Sequence, residues 1–291
     1  MDYILHLGIL ICIYTILAQS LSLVAGYSGQ ISLAHAGFYG IGAYVSALLT
    51  VNFGYPVLLT LPLAMMLSGF IAYVVAKVAV KTIDDYYIII TLGIQVVIFS
   101  ILNNWQEVTR GPLGIPGIPP FSIFGFEFDS KVSFLLLSMV FAGLVWFVLH
   151  NLTKSPFGRV LRGLSEDEIY TKSLGKNVGS YKVVSFVISG MLASIAGVLY
   201  AHYISYIDPT SFNIDESIFI LSIVIIGGMQ NLKGIFIAAA FLVLLPEALR
   251  FVGMPSSIAA NMRQIIYGLA LILAIYRMGV NKSKTLGNAK A

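Results

Sequence analysis

Apolar residues run along this chain in blocks as long as a bilayer is thick, separated by short polar gaps. A hydrocarbon core of about 30 Å takes roughly 20 helical residues. Stretches 4–25, 31–51, 57–80, 86–102, 132–149, 183–204, 218–226, 235–252 and 258–276 meet or approach that length, the seventh being short. The pattern predicts an all-α polytopic membrane protein of about nine (8–10) transmembrane helices, forming one domain over residues 1–291.

Glycine interrupts the helical pattern twice. The first cluster, GYSGQISLAHAGFYGIG, holds Gly26, Gly29, Gly37 and Gly40 with Ser32 and His35 among them. The second, GGMQNLKG, opens with Gly227 and Gly228. Unwound backbone inside a membrane is tolerated only where protein or water covers it, so glycine-interrupted segments in the two halves of a transporter mark a pathway and its hinges. Helix packing is the alternative, because Ala36 with Gly40, and Ser189 with Ala193 and Gly197, have the spacing of close-packed helices.

The longest charged run lies at 154–182, KSPFGRVLRGLSEDEIYTKSLGKNVGSYK, and belongs in water. Ser165 and Glu168 have the spacing of a capping box, which predicts a helix of two to three turns starting at Glu166. Glu166, Asp167 and Glu168 fill its first turn, and Gly175 can take the left-handed conformation that closes it.

Composition supports this division: 58% of residues are hydrophobic and 10% charged. An average soluble domain carries about 25% charged residues. Thirteen of the 17 Lys and Arg residues fall on the side of the charged run, and only Arg110, Lys131, Arg250 and Arg263 on the other. That excess sets the run and the C-terminus in the cytoplasm, with the N-terminus outside if the spans number nine. The net charge of +4 then needs no nucleic acid to explain it. The segment 3–25 lacks a basic flank and is expected to be retained. The largest outward loop, 103–131, is rich in Pro and Gly and carries Trp105, Phe121, Phe124, Phe126 and Phe128, which suit a membrane interface. A second, SYIDPTSFNIDES, holds Asp208, Asp215 and Glu216.

Reactive chemistry is missing from the sequence. GGMQNLKG lacks the Gly-Lys-Ser/Thr ending of a phosphate loop. The lone Cys12 and the scattered His6, His35, His150 and His202 make no metal spacing, and no serine, histidine and acid set marks a hydrolase. No catalytic or metal-binding residue is expected. Few acidic residues lie in the middle of the spans, which disfavours a proton-coupled carrier.

Four blocks carry a family likeness: GYSGQISLAHAGFYGIGAY, TLGIQVVIFSILNNWQEVTRGPLGI, RGLSEDEIYTKSLGKNVGSYKVVSFVISGMLASIAGVLY, and the segment from Pro209 through GGMQNLKG. Together they resemble the M-type permease subunits of bacterial ABC importers for branched-chain amino acids. The chain departs from the family at Tyr170 and Thr171, where two small residues are usual. The resemblance implies an inner-membrane translocator that binds no cofactor. It would be joined by a second homologous permease, two cytoplasmic ATPases that bind ATP and Mg2+, and a periplasmic amino-acid-binding protein. It also implies that the helix at Glu166–Glu168 couples to an ATPase. Urea or other amino acids as cargo, a self-sufficient secondary carrier, and an intramembrane enzyme are the competing readings.

Overall fold

The computed structural model describes residues 2–251, apart from 81, 83 and 124, together with 268 and 272. Apart from 268 and 272, the ninth expected span lies outside the described residues, as does the C-terminus.

Helices dominate. α1 (Asp2–Ser22) widens into a π-helical turn at Leu23–Tyr27. After an irregular stretch, α2 (His35–Phe53), α3 (Val57–Ala79) and α4 (Asp84–Asn104) follow, then the short α5 (Gln106–Thr109). Three two-residue strands, β1 (Ile115–Pro116), β2 (Ser122–Ile123) and β3 (Phe126–Glu127), lead to α6 (Lys131–Lys154). α7 (Pro156–Glu166) and α8 (Glu168–Ser173) precede α9 (Val178–Ile204), and β4 (Tyr206–Ile207), α10 (Ile214–Gly227) and α11 (Leu232–Phe251) complete the described chain. Among the described residues six helices are long and apolar enough to cross a membrane, namely α1 with its π turn, α2, α3, α4, α6 and α9. The predicted spans keep their order, but several ends move. α2 starts at His35 rather than 31, α9 at Val178 rather than 183, and α10 at Ile214 rather than 218.

α9 is the hub, packing on α1, α2 and α3. A Cβ built on Gly197 would lie 2.1 Å from Tyr39 O, and one on Gly42 would lie 2.3 Å from Ser194 O. The α2 and α9 backbones therefore touch, an approach that only glycine permits. In a membrane, where lipid is as apolar as leucine, such packing rather than water exclusion holds helices together.

One end of the bundle gathers 28–34, α7, α8 and the α10–α11 turn; it carries Lys154, Arg159, Arg162, Lys172, Lys176 and Lys233. The opposite end carries the long loop. That loop is more than an interfacial fringe: Ile115, Ile118 and Phe121 are buried, and β1 pairs antiparallel with β4. His202 ties it down. Pro119 O offers only lone pairs, so Nδ1 carries the proton donated to it at 2.7 Å, and Nε2 accepts from Ser46 Oγ at 2.8 Å. Trp105 and Phe126 remain exposed as expected, whereas Phe121 turns inward against His202, Phe128 and Phe141.

Candidate functional site: a helix start inside the bundle and the segment below it

α2 begins within the bundle, so the amides of its first turn need partners that water would otherwise supply. Side chains from several elements provide them. Thr91 Oγ1 of α4 accepts from Leu33 N at 3.1 Å, and Ser32 Oγ accepts from Ala34 N at 3.2 Å. Ser217 Oγ of α10 accepts from Ala36 N at 3.0 Å, and Gln95 Oε1 of α4 accepts from Gly37 N at 2.6 Å. Gln95 also donates through Nε2 to Phe212 O at 2.8 Å, which joins the loop before α10 to the same point. Thr91, Gln95, Ser217, Ser32 and His35 are all buried. The result is a neutral polar patch around a helix start whose dipole presents positive charge.

His35 is fully enclosed, with Nε2 2.7 Å from Ser189 Oγ. The Ser189 hydroxyl spends its one proton on Ser20 O, so His35 Nε2 must donate and Nδ1 is left as a bare acceptor. The imidazole thereby pins α2 to α9 and α1. Gly37 faces the side chains of Ile98 and Gln95, and Gly40 faces Phe212 and Leu102. Ser32, His35, Gly37 and Gly40 thus gather around the α2 start. Gly26, Gly29, Gly227 and Gly228 do not. They sit at the basic end, where a Cβ on Gly26 would lie 1.9 Å from Met229 O. Nothing in the local sequence of α2 announced Thr91, Gln95 or Ser217; they are polar positions in otherwise apolar helices, the one signal that pointed to them.

The acidic residues of α10 also differ from expectation. Asp215 and Glu216 lie in its first turn, not in the preceding loop, with Asn213 Oδ1 capping Glu216 N at 3.1 Å. The Tyr14 hydroxyl bonds the Glu216 side chain, and Tyr14 is midway along the 26-residue span Asp2–Tyr27.

The charged segment folds as two helices rather than one. Ser155 caps α7, with Pro156 at its first position, and a Cβ on Gly158 would strike Thr153 O at 2.3 Å, which fixes a sharp corner after α6. Leu161 and Leu164 anchor α7 to the bundle. Ser165 is therefore inside a helix, its hydroxyl donating to Arg162 O at 2.9 Å, and the expected capping box does not form. Asp167 is the cap of α8, accepting from Tyr170 N at 2.9 Å. Glu168 instead pairs with Lys182 at 2.6 Å, across to the first turns of α9. α8 has six residues, fewer than the two to three turns expected, and Gly175 with φ +74° follows its end. Its outer face is apolar as well as acidic. Ile169 is 83% exposed, with Tyr170 and Leu174 beside it, next to exposed Glu166, Asp167 and Glu168. Among the described residues no group of His, Cys, Asp and Glu could hold a metal ion.

The chain is 35% identical over 261 residues to the high-affinity branched-chain amino acid transport system permease protein LivM of Salmonella typhimurium and 34% identical to that of Escherichia coli. Each alignment covers 82% of this chain and 61% of the relative, so the chain spans about three fifths of their length. A probable branched-chain amino acid transport permease protein LivH of Methanocaldococcus jannaschii is 26% identical over 271 residues, 89% of this chain and 83% of the relative. No solved structure matches. The profile of the family described as branched-chain amino acid transport system / permease component matches residues 3–275. With six helices fit to cross a membrane and a family profile over nearly its whole length, the chain is a multi-pass membrane protein that belongs to the branched-chain amino acid transport system permease family.

Proposed function

We propose that this chain is the translocating subunit of an ATP-driven importer of branched-chain amino acids, lying in a bacterial inner membrane with its C-terminus in the cytoplasm. It pairs with a second, homologous permease. Two cytoplasmic ATPases bind ATP and Mg2+, a periplasmic binding protein delivers the amino acid, and this chain performs no catalysis.

The observation that carries the reading is α8. A helix this short, held by its Asp167 cap and the Glu168–Lys182 pair, presents Ile169, Tyr170 and Leu174 on the most basic end of the molecule. An exposed apolar cluster ringed by charge is a docking surface for another protein. Glu166, Asp167 and Glu168 steer that encounter, and Gly175 sets the angle at which the chain leaves it. ATP-driven movement of the ATPases shifts α8 and α7 and so alternates access through the bundle. Along the route, the coat of Ser32, Thr91, Gln95 and Ser217 at the start of α2 is buried and bonded to backbone amides there, and opening of the bundle would free these uncharged groups to meet a zwitterion.

Reconstitution tests this directly. Leucine uptake into proteoliposomes should require the two ATPases, the second permease, the binding protein and ATP, and excess leucine should compete where urea does not. Uptake by this chain alone would refute the reading.

A further inference from the structure

The two glycine clusters lie about two hundred residues apart in sequence, yet in the fold they meet at one junction beneath the bundle, and α7 is the third party to it. Gln230, in the turn between α10 and α11, bridges the junction from its exposed edge. Its Nε2 donates to Gly26 O at 3.0 Å in the π turn of α1 and to Ser165 Oγ at 3.3 Å on α7. Its own carbonyl accepts from the Tyr27 hydroxyl at 2.7 Å. The Arg162 guanidinium, one turn before Ser165 on α7, lies over the Tyr27 ring at 5.5 Å from its centre. A Cβ on Gly29 would come within 3.1 Å of Ser165 Cα. One amide side chain thus ties the α10–α11 turn to the backbone of the π turn and to a hydroxyl of α7.

The surroundings leave this junction little slack. Gly26 lies against Met229 backbone, and Gly234 packs so tightly on Gly227 that a Cβ would fall 2.0 Å from its carbonyl oxygen. Asn231 closes the turn, its N donating to Gly228 O at 2.8 Å and its Oδ1 accepting from Gly234 N at 3.1 Å. Gly228, at φ +89°, allows that reversal. The turn is therefore a stiff piece that carries the ends of α10 and α11 with it, and Gln19 Nε2 holds Leu232 O at 3.4 Å from the side of α1.

We propose that Gln230 is the positioning residue through which displacement of α7 reaches α1 and the α10–α11 pair, coupling ATP hydrolysis to the reopening of the pathway. Ser165 and Arg162 face the junction from α7. When α7 moves, Ser165 Oγ draws on Gln230 Nε2, and the stiff turn and the π turn follow. An apolar side chain of the same size keeps the packing but releases α7 from both. The inference rests on the importer reading above and adds to it the residue that transmits the motion.

The test uses the assembled importer in proteoliposomes, with ATP hydrolysis and leucine uptake measured on the same preparation. Gln230→Leu removes both donated bonds at nearly constant volume, and co-purification of the ATPases should persist. ATP hydrolysis should remain within about twofold of the parent, while leucine carried per ATP should fall at least fivefold. A purely structural role would lower both rates together and leave the ratio unchanged, which would overturn the proposal. If Gln230→Leu does not assemble, Ser165→Ala decides, because it breaks only the α7 arm. A drop of about twofold or more in the ratio supports the relay, and an unchanged ratio overturns it. A parent complex that hydrolyses ATP without moving leucine would bring down the importer reading; a working parent with an equally coupled Gln230→Leu brings down this inference alone.

Discussion

Gly197→Ala should separate α2 from α9, and its cost can be worked from the backbone. The new methyl carbon would sit 2.1 Å from Tyr39 O and 2.7 Å from Ala43 N. Ordinary carbon to carbonyl-oxygen contacts close to about 3.3 Å, so the helices must part by roughly 1.2 Å. A gap of that order forfeits about a quarter to a half of the dispersion energy of each atom pair it opens. Overpacking of this kind costs about 3 kcal/mol at its upper range, and the obstacle here is rigid backbone on both sides. Alanine returns about 1 kcal/mol through its better helix propensity, leaving a net loss of about 2 kcal/mol. Gly143, on α6, is the control, because nothing lies within 4 Å of a Cβ there and alanine should stabilise by up to about 1 kcal/mol. The two variants should differ by about 3 kcal/mol, roughly a 150-fold change in the unfolding equilibrium by the usual factor of ten per 1.36 kcal/mol. Unfolding of the detergent-solubilised protein by graded addition of SDS measures this. A Gly197→Ala variant as stable as Gly143→Ala would refute the claim that the α2 and α9 backbones touch.

Gln95→Leu should strand the Phe212 carbonyl, at about 1–3 kcal/mol for a buried unpaired group, leave the Gly37 N–H with only the Ala34 carbonyl at 3.1 Å, and lower the melting temperature in detergent; an unaltered melting temperature would show that α2 does not depend on α4 for its start. Ile169→Ser should weaken capture of the ATPases by about tenfold or more in Kd, since burying such a side chain contributes about 1.5–3 kcal/mol, and a binding titration on purified subunits reads it. Reversing the charges of Glu166, Asp167 and Glu168 should slow association and reduce its salt dependence, while equal association rates at low salt would remove their steering role. His202→Leu should release the long loop, seen as faster proteolysis between Gly111 and Glu127, because the Pro119 carbonyl loses its donor.

The long apolar blocks were readable because a bilayer imposes one requirement on a whole window of residues, and no single position decides it. Where helices begin was less readable. α2 starts at His35 rather than at 31, where the amides of Leu33 just before it and of Ala36 and Gly37 in its first turn are met by Thr91, Ser217 and Gln95, residues 58 or more positions away whose partnership leaves no local trace. The charged segment failed differently. Ser165 and Glu168 have the spacing of a capping box, but Ser155 followed by Pro156 is an earlier and stronger start, and the helix it opens runs through Ser165 before the chain can cap there. That signal stood in the sequence. The next residue free to cap is Asp167, whose extended backbone lets its side chain reach Tyr170 N, and Glu168 is then left to bind Lys182.

Glycine presented the harder ambiguity, because one residue type serves both close packing and bending. The geometry separates the uses by what each glycine touches. Gly37 and Gly40 face side-chain atoms, which can rotate away, so the helix there can shift against its neighbours. Gly26, Gly42, Gly197 and Gly234 face backbone atoms, which cannot. A contact between side chains absorbs small movements, whereas a contact between backbones passes them on undiminished. Under the proposed coupling, displacement entering at α7 would meet stiff joints at the π turn and the α10–α11 turn, and stiff packing between α2 and α9. Side-chain contacts that can yield lie around the start of α2, where uncharged polar groups surround a helix end, and also where Gly69 faces Met191 and Gly8 faces Leu135. On the proposed route past the start of α2, the solute would meet side-chain contacts that yield, while the junction proposed to drive the motion is backed by backbone contacts that do not.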